Sequence, residues 1–257
     1  DPDGLHERFP SMNLAGIAGG VHTPDDGWCD PSGLLQAFRR KARSLGVAYV
    51  DDRVVAIDHD ATAARAVRLA SGATLAADHV VNAAGAWAKE VAAMVGMALP
   101  IEPLRRFEHY FETPNAIELL PYVKDMARLA FRPEGRGYSG GLVDGDEPRG
   151  FNFEVDHGYF ERVVWPALAE RFPAFEACRC KRTWSGLYEQ CELDDNPVIG
   201  NWAARLPNFH VAGGFSGHGM MHAPAAGRAI AELIVHGRFT SIDLARLGYD
   251  RVARNEP

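Results

Sequence analysis

Apolar residues recur at helical spacing between Asp30 and Gly46. The repeating positions are Leu34, Leu35, Phe38, Ala42 and Leu45. This spacing places them on one face of a helix. Asp30 or Ser32 would cap its first turn, and Gly46 would end it. The pattern therefore predicts one amphipathic helix, which follows a loop-rich stretch over residues 1–31 with a single strand-like patch at residues 19–23.

Short apolar runs follow this helix and predict strands. They are residues 47–50, 54–58, 66–69, 75–76 and 79–83, with a Ser71-Gly72 hairpin signal before the fourth. The last run is mostly apolar, which indicates a buried strand. Gly85 follows it, and a helix is predicted over residues 86–95 that ends at Gly96.

The pattern changes after Pro100. Charged and aromatic residues alternate in strand-like runs at residues 107–112, 129–132, 138–141 and 151–155. One helix is predicted over residues 158–171, with a kink or an early second turn at Pro166. A short strand at residues 209–212, a glycine-dense turn and a helix over residues 223–236 follow.

These elements predict an α/β protein with an α+β insert. Residues 32–100 and 191–257 would form one α/β unit, and residues 101–190 would insert a mostly antiparallel sheet. Residues 1–31 would form an edge and linker of the insert. The sequence thus predicts two units that are interleaved along the chain.

Composition narrows the class of protein. The 257 residues are 47% hydrophobic and 24% charged, which is ordinary for a globular chain. The net charge of −7, with Lys and Arg spread along the chain, argues against nucleic-acid binding. No run is long and apolar enough to predict a membrane span. The chain opens at Asp1-Pro2 without Met or a signal-like segment, so we expect it to begin within a longer protein.

The cysteines are Cys29, Cys178, Cys180 and Cys191. The spacing of Cys178 and Cys180 is tighter than that of zinc knuckles, and no pair of histidines stands beside them. We therefore expect no bound metal, and reduced thiols in an intracellular, cytoplasmic protein.

The segment from Val211 to Met221 carries the strongest chemical signal. A short apolar run meets a turn with Gly213, Gly214, Gly217 and Gly219, and a helix rich in small residues follows. A strand, glycine turn and helix in this order present backbone N–H groups and a helix N-terminus to an electron-rich ligand. The turn has two polar side chains, Ser216 and His218. A lone histidine is more often structural, but its four glycine neighbours favour a functional role.

Three further segments are candidates for chemistry. In residues 80–87 a β-branched strand runs into Ala84-Gly85, where small residues let a diphosphate approach the backbone; a strand–helix corner without a ligand is equally compatible. Tyr188 could lie over a ligand face, although a core or rim aromatic is favoured in isolation. Arg132 and Arg136 are candidate carboxylate binders, and a solvated hairpin explains them equally well.

Taken in this order, the segments resemble the D-amino-acid oxidase-like family of FAD-dependent oxidoreductases, which includes the sarcosine oxidases. The resemblance covers about residues 10–250. It is carried by Gly27-Trp-Cys-Asp-Pro31, Ala42-Arg-Ser-Leu-Gly46, residues 80–87, Pro100-Ile-Glu-Pro103, Arg132-Pro-Glu-Gly135, residues 184–188 and residues 213–219. It implies a split, partial FAD-binding Rossmann-like domain and an inserted sheet that roofs the flavin.

The resemblance also implies roles for single residues. Val54 matches the adenine side of FAD. The diphosphate side is matched by Ala84, Gly85 and Trp87. The flavin-ring side is matched by Gly214, Phe215, Ser216, Gly217, His218, Gly219 and Met220. Tyr188 and His218 match substrate-pocket positions. The implied reaction is hydride transfer from a carbon beside an amine to the flavin N5, with an imine product.

Three departures from the family pattern limit these expectations. The N-terminal Gly-x-Gly-x-x-Gly unit is missing, so the chain corresponds to the C-terminal two-thirds of a family member. Gly186 stands where the sarcosine oxidases attach flavin through Cys, so the flavin is expected to be non-covalent. Met221 replaces a substrate-binding Lys, and residues 125–180 contain no Lys that could promote reaction with oxygen.

The favoured interpretation is an FAD-dependent amine or amino-acid oxidoreductase, and a dehydrogenase rather than an oxidase. Its substrate is a D-amino acid, glycine or an N-methyl amino acid, and Arg132 or Arg136 would replace the missing Lys as carboxylate anchor. An electron acceptor or a respiratory subunit is the expected protein partner. Two alternatives remain open: a catalytically weak flavoprotein-like assembly factor, and an inactive truncated fragment whose helix at residues 223–236 exposes apolar surface.

Overall fold

The computed structural model describes residues 1–143 and 145–256 of the chain. Its α-helices are α1 (Pro2–Arg8), α2 (Pro31–Ser44), α3 (Ala88–Ala93), α4 (Trp165–Arg171), α5 (Gly219–His236) and α6 (Tyr249–Ala253). Its strands are β1 (Val54–His59), β2 (Ala64–Leu69), β3 (Thr74–Ala76), β4 (Val80–Asn82), β5 (Ile101–Glu112), β6 (Val123–Lys124), β7 (Leu129–Glu134), β8 (Gly137–Leu142), β9 (Arg179–Cys191), β10 (Val198–Trp202) and β11 (Leu206–Gly213). The predicted α/β class with a mostly antiparallel insert is confirmed.

The chain folds into two compact units. The first contains Asp1–Leu34, Arg105–Glu147 and Asn152–Gly186, and the second contains Leu35–Leu104, Pro148–Phe151 and Leu187–Pro257. The strands β5 and β9 therefore each begin in one unit and end in the other. Which unit binds a cofactor and which binds a substrate stays a prediction.

The first unit is built on the sheet β6-β7-β8-β5-β9. The pairs β6–β7, β7–β8 and β5–β8 are antiparallel. Its core is aromatic: Phe111, Phe131, Phe172 and Phe175 are each 0% exposed. Phe131 meets both Phe172 and Phe175 edge to face at 5.4 Å. This geometry suits the charge distribution of the rings and adds to the stabilisation from their burial.

The second unit contains two three-stranded sheets, β1-β2-β3 and β10-β11-β4. In the latter, β11 pairs antiparallel with β10 and parallel with β4. One face of this sheet packs on the main core, which includes Phe209, Val211 and Ala88. A second apolar cluster joins Ile199 of β10 to Ile230 of α5. The sheet is therefore covered by apolar residues on both faces, as parallel pairing requires.

Several predicted elements differ from the structure. Residues 19–23, 47–50 and 151–155 were expected to be strands and are irregular. Within the second stretch, the Tyr49 ring lies 5.1 Å from the guanidinium carbons of Arg39 and Arg43. Residue types that favour strands do not form one without a partner strand. The strand-forming residues of these segments are therefore held by side-chain contacts or left in loops.

Helix limits also differ. The short helix α1 was not predicted, and residues 160–164 form a π-helical turn before α4. Pro166 lies in the first turn of α4, which agrees with the predicted early second turn. The helix expected to start at residue 223 starts at Gly219, so Pro224 lies inside α5. Pro224 cannot donate to the Met220 carbonyl, and this costs the helix one hydrogen bond.

Among the described residues, no helix combines the length and the apolar character needed to cross a membrane.

We predict that Phe131→Ala lowers the free energy of unfolding by about 3–5 kcal/mol, because it leaves a cavity among four buried rings. Phe153 is 56% exposed in the same unit and provides the matched control. Phe153→Ala should change stability by no more than about 0.5 kcal/mol. Urea unfolding followed by far-UV circular dichroism measures both. Equal shifts for the two variants would contradict the assigned core.

Candidate functional site

Two glycine-containing turns follow neighbouring parallel strands in the second unit. Asn82 at the end of β4 lies opposite Val211 near the end of β11. The carboxyl ends of parallel strands meet at one edge of a sheet, where α/β proteins bind their ligands. The 83–87 corner and the 213–219 turn emerge there. A Cβ placed on Gly213 would lie 3.5 Å from the Ala88 Cβ, so the two segments are in contact.

The 83–87 corner is held by a buried amide. Asn82 is 2% exposed. Its Nδ2 donates to the Ala88 carbonyl at 2.8 Å, and its Oδ1 accepts from the Ala84 N–H at 3.2 Å. Gly85 has φ +56°, and a Cβ there would meet nothing within 4 Å. The corner thus offers an open backbone surface beside Ala84 and Gly85, the residues predicted to face a diphosphate.

The 213–219 turn is tied to the end of β9 by Ser216. The Ser216 Oγ accepts from the Cys191 N–H at 3.0 Å and donates to the Gly214 carbonyl at 3.3 Å. The Ser216 N–H donates to the Glu189 carbonyl at 3.2 Å. Gly214, Ser216 and Gly217 have φ of +80°, +50° and +95°. Only glycine adopts such angles at little cost. The backbone conformation therefore explains why positions 214 and 217 are glycine.

Tyr188 packs directly on this turn. A Cβ on Gly217 would lie 2.5 Å from the Tyr188 Cε2 and 2.8 Å from its Cζ. Real Cβ atoms do not approach a ring this closely, so any side chain at position 217 would force the Tyr188 ring to move. The predicted substrate-pocket residue Tyr188 and the predicted flavin-facing residue Gly217 are therefore neighbours.

The N-terminus of α5 follows the turn. His218 is its N-cap residue, and no side chain caps the helix. The first N–H groups of a helix have no partner within it and carry partial positive charge. His218 is exposed, and so are Met220 at 44% and Met221 at 63%. This end of the helix can accept an anionic or electron-rich ligand.

The remaining predicted residues are Trp87 and Val54 in the second unit and Arg132 and Arg136 in the first. Trp87 is 47% exposed, and its ring centroid is 5.1 Å from that of Phe151. Val54 begins β1 and packs against the core of the second unit. Arg132 forms an ion pair with Glu134 on the β7–β8 hairpin of the first unit, where exposed Arg136 also lies. The roles predicted for all four residues stay predictions.

Glu189 and Asn82 were not among the predicted site residues. The Glu189 carboxyl is beneath the 213–219 turn: its Oε2 would be 3.3 Å from a Cβ on Gly213. Burial raises the pKa of this carboxyl, while the N–H groups of Gly214 and Phe215 oppose the shift. The sequence shows an acidic residue directly after Tyr188. Its burial depends on the 213–219 turn, so it cannot be predicted from the neighbouring residues.

Among the residues that the structure describes, no group of three or more His, Cys, Asp or Glu side chains is placed to hold a metal ion.

Comparison with known proteins agrees with this geometry. The family model DAO, described as FAD dependent oxidoreductase, matches residues 1–233. FAD-dependent oxidoreductase domain-containing protein 1 of Xenopus laevis is 36% identical over an alignment that covers 100% of this chain and 58% of that protein. The chain thus spans little more than half the length of this relative.

Two solved structures share the fold at more than 25% identity. L-proline dehydrogenase from P. horikoshii has a TM-score of 0.89 and 28% identity, with 99% of this chain and 68% of that one covered. Glycine oxidase from Geobacillus kaustophilus has a TM-score of 0.82 and 27% identity, with 95% and 64% covered.

We predict that Gly217→Ala is more destabilising than Gly72→Ala. Both glycines have a left-handed backbone, with φ of +95° and +91°, but a Cβ on Gly72 would meet nothing within 4 Å. Gly72→Ala should therefore cost only the backbone term of about 1–2 kcal/mol. Gly217→Ala should cost a further 1–3 kcal/mol or so, because the Tyr188 ring must move. Urea unfolding of both variants measures the difference, and equal costs would argue against the Tyr188 contact.

Proposed function

The chain belongs to the DAO family of FAD-dependent oxidoreductases, and from that premise we propose that it oxidises the carbon–nitrogen bond of a small amine or amino acid. One observation carries the proposal. Two glycine turns meet at the carboxyl ends of the parallel strands β4 and β11, beside the uncapped N-terminus of α5. This arrangement suits a nucleotide cofactor, because its diphosphate and the edge of its ring can both accept hydrogen bonds from backbone N–H groups.

The backbone geometry of the second unit supports FAD as the cofactor. The open backbone at Ala84 and Gly85 would hold the diphosphate, residues 214–220 would lie along the flavin ring, and Val54 would lie on the adenine side. FAD, when bound, supplies the two-electron acceptor for a hydride from the substrate carbon. Gly186 provides no thiol at the position of covalent attachment, which supports a non-covalent cofactor.

The protein side chains would bind and orient the substrate. Tyr188, fixed against Gly217, and exposed His218 are the candidates to orient the amine. Arg132 and Arg136 are the candidates to neutralise a carboxylate, by bidentate pairing. The positive end of α5 would stabilise negative charge that develops along the turn. Correct placement of the reacting carbon accounts for most of what a protein adds to such chemistry.

We infer a dehydrogenase rather than an oxidase from the chain's own residues. Met221 replaces a family lysine, and residues 125–180 contain no lysine that could promote reaction with oxygen. The names of the two similar structures refer to proline and glycine, both amino acids with an amine beside a carboxylate. One is called a dehydrogenase and the other an oxidase, so the names support the substrate class and not the acceptor.

A second candidate function is an assembly or interaction factor with little turnover. It is favoured by large apolar side chains that are exposed on and after α2: Leu35, Phe38, Leu45 and Val47 are each more than half exposed. Exposed apolar groups of this size are typical of surfaces that bind another protein.

We predict that the full-length protein retains FAD that acid precipitation releases, and that an amino acid bleaches the flavin in the absence of oxygen. The panel contains glycine, proline, N-methylglycine and several D-amino acids. Reoxidation should be slow with oxygen and fast with an artificial electron acceptor. His218→Ala should slow bleaching at saturating substrate by about tenfold or more, since orientation of the substrate is lost.

His222→Ala is the matched control, because His222 is exposed one helical turn further along α5. Its bleaching rate should equal that of the unmodified protein. Retained flavin without bleaching by any substrate would contradict the proposed enzyme and favour the interaction factor. Fast reoxidation by oxygen would contradict the dehydrogenase.

A further inference from the structure

The Glu189 carboxyl is enclosed by both ends of the 213–219 turn. Its Oε2 would lie 3.3 Å from a Cβ on Gly213, and its Oε1 would lie 3.9 Å from a Cβ on Gly219. Gly213 ends β11 and Gly219 begins α5. The acid therefore lies under the segment that joins β11 to the uncapped N-terminus of α5.

Glu189 is a half-buried residue whose carboxyl is incompletely hydrogen-bonded. Among the described residues, its Oε2 is buried and has no hydrogen-bond partner. The N–H groups of Gly214 and Phe215 favour its charged form, but loss of water outweighs them and raises its pKa. A buried acceptor without a partner is destabilising, so the chain maintains this acid against a penalty.

The turn has backbone anchors that do not involve the acid, although the Gly214 and Phe215 N–H groups also interact with the carboxyl. Ser216 ties the turn to β9 through backbone groups of Glu189 and Cys191, and the Glu189 side chain takes no part in those bonds. A glutamine would fill the same volume without the charge. Since shape and backbone bonding explain neither the charge nor its burial, a role that uses the proton is favoured.

The surroundings allow the acid to respond to charge on the turn. Its pKa shift has burial and two N–H groups as its causes, and no ionised side chain is among them. The titratable groups nearest in sequence are Tyr188 and Cys191 on β9 and His218 and His222 at the start of α5. On the other packed elements, Lys89 and Glu90 of α3 and Glu102 of β5 are charged, and Lys89 forms an ion pair with Glu102. The strands and helix that meet Gly213 and Gly214 contribute Ala88 and Ile101, which are apolar. A new negative charge at the turn would thus act on a carboxyl whose pKa no ionised side chain already shifts.

We propose that the Glu189 carboxylate takes up one proton from water when a cofactor bound along the 213–219 turn accepts two electrons. The inference rests on the proposed function, because the electrons come from the substrate C–H bond as a hydride. That bond breaks, the hydride goes to the cofactor, and the added negative charge draws a proton from water onto the carboxylate. On reoxidation the proton returns to water. Glu189 acts through the turn, as a positioning and charge-balancing residue.

The test is the reduction potential of the bound FAD as a function of pH in the full-length protein. One extra proton for two electrons changes the equilibrium tenfold per pH unit, which is about 30 mV for a two-electron couple. We expect this additional slope in the unmodified protein above the ordinary glutamate range. It should be absent in Glu189→Gln and present in Glu189→Asp, which keeps an acid.

Glu192→Gln is the matched control, because Glu192 is a surface residue of the same unit paired with Arg149. It should keep the slope. The sign is also fixed: Glu189→Gln removes a negative charge, so its potential should match the unmodified protein at low pH and exceed it increasingly as pH rises. Equal slopes in Glu189→Gln and the unmodified protein would overturn the proposal.

Stability of the flavin-free protein gives an independent readout. A carboxyl whose pKa is raised on folding contributes stability that is lost as pH rises through the folded pKa. Glu189→Gln should therefore become more stable than the unmodified protein as pH rises, and Glu192→Gln should not. No such gap would overturn the inference. Failure of the unmodified protein to bind FAD would instead refute the proposed function.

Discussion

The parallel pairing of β4 with β11 is the interaction on which the candidate site depends. The two strands are far apart in sequence, and only their pairing brings the 83–87 corner to the 213–219 turn. The register is enforced by side chains. Phe209 and Val211 are each 0% exposed and lie in the main core, whereas Ala212 packs against the cluster that includes Ile230 of α5. A slip of one residue would exchange these faces and place His210 in the apolar core.

The second constraint is that the 213–219 turn needs glycine, which has no side chain, at two of its positions. Gly214 and Gly217 adopt angles that other residues tolerate poorly, and the Tyr188 ring occupies the space that a side chain at 217 would need. Glycine loses more conformational freedom on folding than other residues, so such a turn is costly to order. Ser216 offsets part of that cost with its bonds to Cys191 and Gly214. The result is a backbone surface held rigidly against the end of β9.

Sequence predicted those parts of the fold that local pattern determines. The helix α2, the strands β1, β2 and β4 and the glycine turn after β11 follow from spacing and punctuation alone. The predictions of strands at residues 47–50 and 151–155 were wrong, because residues that favour strands do not form one without a partner strand. The start of α5 was predicted four residues late, since Pro224 is a common start signal and the turn itself begins the helix. Glu189 was missed because burial of its carboxyl depends on a turn 24 or more residues away.

Resemblance to a family predicts the cofactor more reliably than the substrate. The physical reason is that the two depend on different parts of the structure. The features that suit FAD belong to the backbone: two turns at a parallel-strand edge, left-handed glycines and free helical N–H groups. They persist as long as the fold persists. Substrate recognition and reaction with oxygen depend on single side chains, and Met221 and Gly186 depart from the sarcosine oxidase pattern that the sequence resembles. A fold can therefore keep its cofactor edge unchanged while one substitution beside it alters the substrate or the electron acceptor.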